Sequence, residues 1–146
     1  MSRWQYVAVS LSAGFLLAAA GCRHTSAEQH VRDAITAVAQ AAQDGDARAV
    51  VASIEDDFDG NAGELDRSAI RNMVRALALQ HASVGVHLGA ITTQTRGSRV
   101  VASFAVTLTS SHRALPERLG VYQVETAWRQ DSGAWRCYTA SWKQAM

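Results

Sequence analysis

The amino-acid sequence predicts an α+β domain in which helices come first and pack on an antiparallel sheet. Its 146 residues, 48% of them hydrophobic, are enough for one globular domain with its own core. Apolar residues recur every three or four positions as far as Leu77 and alternate from Ser83 onwards. Because the two periods occupy separate parts of the chain, helices and strands are expected to be segregated.

The first segment is predicted to direct secretion and to lie outside the fold. The uncharged run Val7–Ala20 is too short to span a bilayer and fits the core of a secretory signal. Small residues then precede Cys22, and this stretch resembles the lipobox of bacterial lipoproteins, with Ala19 where Leu is usual. The resemblance implies cleavage before Cys22, a diacylglyceryl group on its thiol and labelling by palmitate. The alternative is an ordinary signal peptide that is cleaved nearby.

The same resemblance sets the expected boundaries and location. Residues 1–21 are expected to be the lipoprotein signal peptide, 22–27 the lipid anchor with a short tether, and 28–146 the folded domain. Arg23 rather than Asp follows the cysteine, which by proteobacterial sorting rules favours the periplasmic face of the outer membrane. The membrane is therefore an expected partner, bound through lipid on Cys22.

The N-terminal half carries start and stop signals for three helices. Thr25-x-x-Glu28 and Ser26-x-x-Gln29 each match a capping box, so the first helix begins there. Gly45 ends it, Asp46 can cap a short second helix and Asp66 can cap the third. Helical spacing predicts these core-facing residues: Val31, Ile35, Val38, Ala42, Val50, Val51, Ile54, Ile70, Met73, Val74 and Leu77.

Between the second and third helices, the acidic stretch Glu55–Asn61 predicts a polar turn. Its acidic and amide side chains match the first three ligand positions of an EF-hand calcium loop. However, Ala62 replaces the required glycine, and Ser68 replaces the required bidentate glutamate. No metal site is therefore predicted.

The C-terminal half alternates as strands do. A first strand is predicted with Val84, Val86, Leu88 and Ala90 on one side. Gly97-Ser98 predicts a tight hairpin turn into a returning strand, whose residues on one face are Val100, Ala102, Phe104, Val106 and Leu108. A second hairpin turns around Asp131–Gly133, after a polar loop at residues 111–119. Strict alternation places Tyr122, Val124, Trp128, Tyr138 and Trp142 on one side of it and Val121, Ala127, Trp135 and Cys137 on the other. Because helices can cover only one side, a homodimer through the sheet is predicted, with strong sheet curvature or a folded-back C-terminus as alternatives.

This arrangement resembles the nuclear transport factor 2-like, or SnoaL-like, superfamily. The stretch from Asp44-Gly45-Asp46-Ala47 through Glu55–Phe58 resembles its two-helix opening. Gly133-Ala134-Trp135-Arg136-Cys137 resembles its closing strand, with Cys137 in place of the usual aliphatic residue. The resemblance covers about residues 28–143 and implies a cone-shaped, curved antiparallel sheet around the helices, with a pocket open at one end. Members include isomerases, cyclases, dehydratases, hydrolases and non-catalytic binders, so the fold does not decide the function.

No catalytic residue of those enzymes can be carried over to this sequence. The candidates for lining the pocket are His87, Glu125, Tyr138 and Trp135. The sequence contains no Walker loop, HExxH, CxxC or GxSxG, so no cofactor is predicted. A net charge of +1 argues against a nucleic-acid partner.

Two functional hypotheses follow. The first is a lipid-anchored, non-catalytic module of the cell envelope that binds a small hydrophobic ligand or another protein. The alternative is a SnoaL-like isomerase, cyclase or dehydratase that acts on a small hydrophobic molecule through His87 or Glu125.

Overall fold

In the part of the chain that the computed structural model describes, residues 25–80, 84–110 and 120–145, helices cover one face of a six-stranded sheet. The elements are α1 Ala27–Gln43, α2 Ala47–Ala52, β1 Ile54–Gly60, α3 Arg67–Leu79, β2 Val84–Leu88, β3 Thr92–Arg96, β4 Arg99–Ser110, β5 Gly120–Asp131 and β6 Ala134–Gln144. The sheet order is β1-β6-β5-β4-β2, and β3 also pairs with β4. The predicted α+β class is thereby confirmed. The predicted leader, lipid site and polar loop at 111–119 lie outside the described residues.

The predicted helix caps are confirmed. The Ser26 hydroxyl accepts a hydrogen bond from the backbone N–H of Gln29 at 3.1 Å and so begins α1. The carboxylates of Asp46 and Asp66 accept equivalent bonds at 3.0 and 2.7 Å at the starts of α2 and α3. Gly45 follows α1 with a φ of 72°, the left-handed conformation that glycine adopts without strain.

The predicted polar turn at Glu55–Asn61 is wrong, because most of this stretch forms strand β1. Strand β1 pairs in parallel with β6, Ile54 opposite Cys137 and Asp59 opposite Thr139, so the sheet is mixed rather than wholly antiparallel. Ile54 and Phe58 are buried in the core, which anchors the strand. Its hydrogen-bond partners lie about eighty residues away, beyond the reach of any local sequence pattern.

The predicted hairpin at Gly97-Ser98 is confirmed, since it joins β3 to β4. The strand expected before it is divided into β2 and β3, which both pair with β4. Leu88 lies opposite Val106, and Thr92 lies opposite Ser103. Between these two pairs, residues 89–91 on the edge lie opposite residues 104–105 of β4. The extra residue makes the edge of the sheet bend at this point.

A β-bulge changes the predicted faces of the last hairpin. Ala127 pairs with Thr139, but the next residue, Trp128, pairs with Cys137, so Tyr138 is the extra residue. In β6, the residues that point to one face of the sheet are therefore odd-numbered before the bulge and even-numbered after it. Trp128 and Cys137 share the face that meets the helices, which we call the inner face, rather than lying on opposite faces as predicted.

The same bulge separates Tyr138 from Tyr122 and Trp142, which were predicted to share one face. Tyr122 and Trp142 lie on the inner face, in line with Val124 and beside α3. Tyr138 lies on the opposite, outer face, against Arg129. Trp135, expected on the face opposite Trp128, packs against the core on the same side as that residue.

Helix α1 lies along the edge of the sheet formed by β3 and β2 and gives the domain two distinguishable ends. At the N-terminus of α1, the Glu28 carboxylate accepts bonds from the hydroxyls of Thr93 and Thr95 at 3.2 and 2.9 Å. At its C-terminus, the side-chain oxygen of Gln43 accepts a bond from the N–H of Val86 at 3.1 Å. We call the end of the domain at the N-terminus of α1 the tip end, and the β3–β4 and β5–β6 turns lie there. The opposite end, at the C-terminus of α1, is called the mouth end.

Candidate functional site

An apolar cavity of about 280 Å³ lies between α1 and the inner face of the sheet. The second half of α1 contributes only small or aliphatic side chains to it, while the sheet contributes larger ones. The lining includes Ile35, Val38, Ala39, Ala42, Phe104, Val106, Leu108, Trp128 and Trp142. The predicted inner face of β4 is thus confirmed, and the alanines of α1 leave space in front of it.

The cavity adjoins a wider space of about 640 Å³ at the mouth end. The two spaces share Ile70, Val106, Leu108 and Trp142. The wider space adds Leu65, Met73, Tyr122 and Val124, together with Glu64 as its one carboxylate side chain among the described residues. Together the two spaces form a groove that is apolar at depth and has a carboxylate at its opening.

Gly60 at the end of β1 sets the position of Trp142 in this groove. A Cβ at Gly60 would lie 2.8 Å from the Cη2 atom of Trp142 and 3.0 Å from the carbonyl oxygen of Leu65. Such contacts are too close for any side chain, so glycine lets the indole lie directly over the backbone. The backbone N–H of Trp142 donates to the side-chain oxygen of Asn61 at 2.8 Å, which fixes the ring further.

The Thr126 hydroxyl is one polar group in the lining of the inner cavity. It accepts a bond from the indole Nε1–H of Trp128 at 2.8 Å and donates one to the backbone carbonyl of Ala102 at 3.2 Å. Thr126 is 7% exposed and Trp128 3% exposed. The hydroxyl therefore satisfies a buried indole and orients its ring.

A second polar group is the thiol of Cys137. Its sulfur donates to the carbonyl oxygen of Thr139 at 3.3 Å. Burial raises the pKa of this thiol to about 12, well above its ordinary value of 9.0. At neutral pH the group is consequently a neutral thiol and a poor nucleophile.

Three of the four predicted pocket residues lie on the outer face, away from the cavity. His87 lies opposite Thr107 on that face and is exposed. Glu125 is exposed there too, in a shallow hollow with Ser103, Ser141 and Lys143. Tyr138 is the bulged residue. Neighbouring residues of a strand point to opposite faces, so the cavity is lined by residues adjacent to His87, Glu125 and Tyr138 and not by these three themselves.

Tyr138 and Trp135 are part of the packing around the sheet. The guanidinium of Arg129 lies 4.9 Å from the centre of the Tyr138 ring, and a side-chain N–H of Arg99 lies 3.5 Å from its hydroxyl. Trp135 is half-buried against the core and does not line the cavity. His87, Glu125, Tyr138 and Trp135 therefore do not converge on one site.

The acidic residues of β1 have separate structural partners. Arg129 binds both carboxylate oxygens of Asp57, at 2.9 and 3.0 Å, and lies 3.4 Å from the buried carboxylate of Glu55. Asp59 accepts a bond from the N–H of Gly63 at 2.6 Å. The described residues contain no group of three or more ligands placed to hold a metal ion.

Two arginines of α3, Arg67 and Arg75, differ in their surroundings. Arg75 is exposed, but Arg67 reaches back to the carbonyl oxygens of Val51 and Ile54 at 3.1 Å each. Arg67 thereby ties α3 to the end of α2 and the start of β1.

Among the described helices, none is long and apolar enough to cross a membrane.

Several solved protein structures have a fold similar to that of this chain. A nuclear transport factor 2-like protein of Cytophaga hutchinsonii matches with a TM-score of 0.65 and 15% identity, over 82% of this chain and 98% of that one. A nuclear transport factor 2-like protein with a cystatin-like fold from Novosphingobium aromaticivorans matches with a TM-score of 0.62 and 19% identity, over 80% of each chain. One of unknown function from Pseudomonas putida KT2440 gives 0.65 and 19%, over 80% and 85%.

These similarities establish the nuclear transport factor 2-like, cystatin-like fold for this chain, as the sequence resemblance implied. No family model and no curated protein sequence matches the chain. At such low identity the likeness concerns the fold alone, and function must be argued from the site itself.

The residues that matter most for the cavity were not among the sequence candidates. Thr126 lines it from β5, and Cys137 and Ala140 of β6 both line it because the bulge at Tyr138 lies between them. One signal was present in the sequence. Ala39 and Ala42 interrupt the larger side chains of α1, on the helix that was expected to cover the sheet. Small residues opposite a large apolar strand face indicate space rather than tight packing.

Proposed function

We propose that this protein is a lipid-anchored, non-catalytic binding protein of the cell envelope, and that its cavity takes a small hydrophobic ligand. The observation that carries the ligand is the chemistry of the groove. Its depth is lined by aliphatic and aromatic side chains, and the inner polar groups of Thr126 and Cys137 already bond within the protein. A ligand there gains contact with apolar surface, while the hydroxyl and the thiol each keep a partner within the protein.

The same chemistry favours binding over catalysis. Acid–base catalysis needs a titrating group within hydrogen-bond reach of the substrate. Among the described residues, the inner cavity offers only a bonded hydroxyl and a thiol whose pKa burial raises to about 12. His87 and Glu125, on which the enzyme alternative depended, lie on the outer face.

A matched pair of substitutions tests ligand binding. Val106→Phe places a ring in the cavity, whereas Val121→Phe adds the same group on the outer face of the neighbouring strand. The probe is N-phenyl-1-naphthylamine, an uncharged apolar dye that fluoresces when it leaves water. We expect saturable binding to the unsubstituted protein, at least about tenfold weaker binding to Val106→Phe, and no change for Val121→Phe.

Two results would contradict the ligand proposal. One is an unsubstituted protein that does not bind the dye saturably. The other is equal affinity in Val106→Phe, provided that circular dichroism shows the variant to be folded. Native mass spectrometry of the protein purified from its own membrane complements the dye, because it reports any retained ligand and the attached lipid together.

The anchor rests on the sequence that ends at Cys22 and has its own test. Cys22→Ser removes the thiol that would carry the diacylglyceryl group, so we expect blocked processing, loss of palmitate labelling and release from the membrane fraction. A variant that stays membrane-bound and labelled would disprove the anchor. For the native protein, fractionation of inner and outer membranes then tests the proposed outer-membrane location.

A further inference from the structure

Four arginines occupy directly paired positions across four neighbouring strands at the tip end. Arg96 of β3 lies opposite Arg99 of β4, Arg99 opposite Arg129 of β5, and Arg129 opposite Arg136 of β6. Residues paired in this way project from the same face of a sheet, here the outer face. We call these four residues the arginine row. Like charges directly opposite one another destabilise a sheet, so the row calls for a compensating partner.

Among the described residues, carboxylates compensate only one member of the row. Arg129 binds Asp57 and Glu55, as described above. Arg96 donates to the amide oxygen of Gln94 at 2.9 Å, and Arg99 has the Tyr138 hydroxyl at 3.5 Å, so both meet neutral oxygens. Within the described residues, neither arginine has a carboxylate within 4.0 Å.

Arg136 is the fourth member, and it is the least satisfied. Its Nε atom is shielded from solvent and has no hydrogen-bond partner within the described residues. Arg96 and Arg99, by contrast, are exposed and free to turn outward. Arg96 and Arg99 therefore present positive charge and N–H donors to whatever approaches the outer face at the tip end, while Arg129 beside them is neutralised by Asp57 and Glu55.

The tip end is also where the N-terminus of the domain lies. Glu28, in the first turn of α1, bonds to Thr93 and Thr95, and Arg96 follows directly in the chain. Four residues lie between Cys22 and Ala27, so the two are at most about 18 Å apart when the chain is fully extended. A lipid on Cys22 would hold the arginine row close to the membrane surface.

We propose that the arginine row docks on the phosphate groups of anionic phospholipids and holds the domain upright, with its tip end on the membrane. Guanidinium groups bind phosphate through paired N–H donors, and arginines near an anionic surface are attracted electrostatically. The mouth of the cavity, at the other end of the 17-residue α1, then faces away from the membrane. Ligand accordingly enters from the aqueous side.

This inference rests on the proposed anchor for its choice of membrane, and its test separates the two. The protein is purified from its own membrane, and intact mass spectrometry determines whether Cys22 carries lipid. It is then placed in nanodiscs of phosphatidylcholine alone or of phosphatidylcholine with phosphatidylglycerol. Amide hydrogen exchange is followed in the peptide that spans residues 94–101. If Cys22 is unmodified, the anchor fails, and co-sedimentation with vesicles of the same two compositions tests the docking surface instead.

We expect slower exchange in the discs that contain phosphatidylglycerol, and loss of that protection at high salt. Each arginine at an anionic surface contributes about fivefold, so R96Q/R99Q should reduce the ratio of docked to free protein by about thirtyfold. The matched control is R48Q/R75Q, which removes the same charge from exposed positions on α2 and α3. It should leave the protection unchanged.

Three outcomes would overturn the proposal. One is equal exchange in neutral and anionic discs. A second is protection that survives in R96Q/R99Q. The third is protection that depends on protein density and not on lipid charge, since that behaviour would indicate a second copy of the chain on this face.

Discussion

The hydroxyl of Thr126 offers a sharp test of how the cavity wall is held together. Thr126→Val keeps the shape of the side chain but removes the oxygen that accepts the Trp128 indole N–H at 2.8 Å. The indole is 3% exposed, so water cannot replace that partner without rearrangement. The substitution therefore leaves a buried donor unsatisfied.

The expected cost follows from two opposing contributions. An unsatisfied buried donor costs about 1–3 kcal/mol. Replacing a buried hydroxyl by a methyl group returns somewhat less than about 1 kcal/mol of transfer free energy. The net loss of stability is thus up to about 2 kcal/mol, which for a domain of this size corresponds to a fall in Tm of up to roughly 10 °C.

A double-mutant cycle isolates the hydrogen bond from the change in packing. Trp128→Phe removes the indole N–H, so Thr126→Val should cost at least about 0.5–1 kcal/mol less in that background than in the unsubstituted protein. The loss of the bond to the carbonyl of Ala102 occurs in both backgrounds and cancels. Urea denaturation followed by circular dichroism provides the four free energies. Equal costs in the two backgrounds would refute the reasoning.

Three further predictions concern pH and assembly. Burial raises the pKa of Cys137 from 9.0 to about 12, so the thiol of the unfolded chain ionises first as pH rises. Between these two values the free energy of unfolding should fall by up to about 1.4 kcal/mol per pH unit relative to Cys137→Ala. Urea denaturation of both proteins at pH 8 and pH 10 measures this difference. The hydroxyls of Thr95 and Thr93 lower the pKa of Glu28 below 4.5, so Glu28→Gln should lower the urea midpoint at neutral pH. The difference in midpoint between the two proteins should vanish as pH falls through the lowered pKa. A difference that persists in acid would show that the Glu28 carboxylate is not its cause. The homodimer through the sheet stays a prediction, with Ala105 and Ala127 as small half-buried side chains of the outer face, and sedimentation of the form that begins at residue 23 should show Ala105→Arg lowering the dimer fraction. A strictly monomeric unsubstituted protein would exclude it.

The helices and hairpins were predictable because their signals are local. Ser26, Asp46 and Asp66 bond to backbone groups three residues ahead, so the chain within one turn determines where each helix begins. The two-residue turn at Ser132-Gly133 has positive φ at both positions, 51° and 83°, which fixes the last hairpin through short-range geometry. The apolar period of β4 likewise identified the face that lines the cavity.

The candidate site was not predictable, because its residues depend on pairing between distant strands. Strand β1 looks like an acidic turn until β6 lies beside it and Arg129 neutralises Glu55 and Asp57. The arginine row exists only because the registers of four strands bring those positions into line.

By itself the sequence determined the α+β class, the order of helices before strands, the caps and the hairpin turns, since each depends on residues close together in the chain. Tertiary structure decided which side chains face the cavity. The single extra residue at Tyr138 reverses the alternation of β6, so Cys137 joins Trp128 on the inner face while Tyr138 points outward. A strand alternates with a period of two, and therefore a register change of one residue exchanges its faces. Only the partner strand determines where that change occurs.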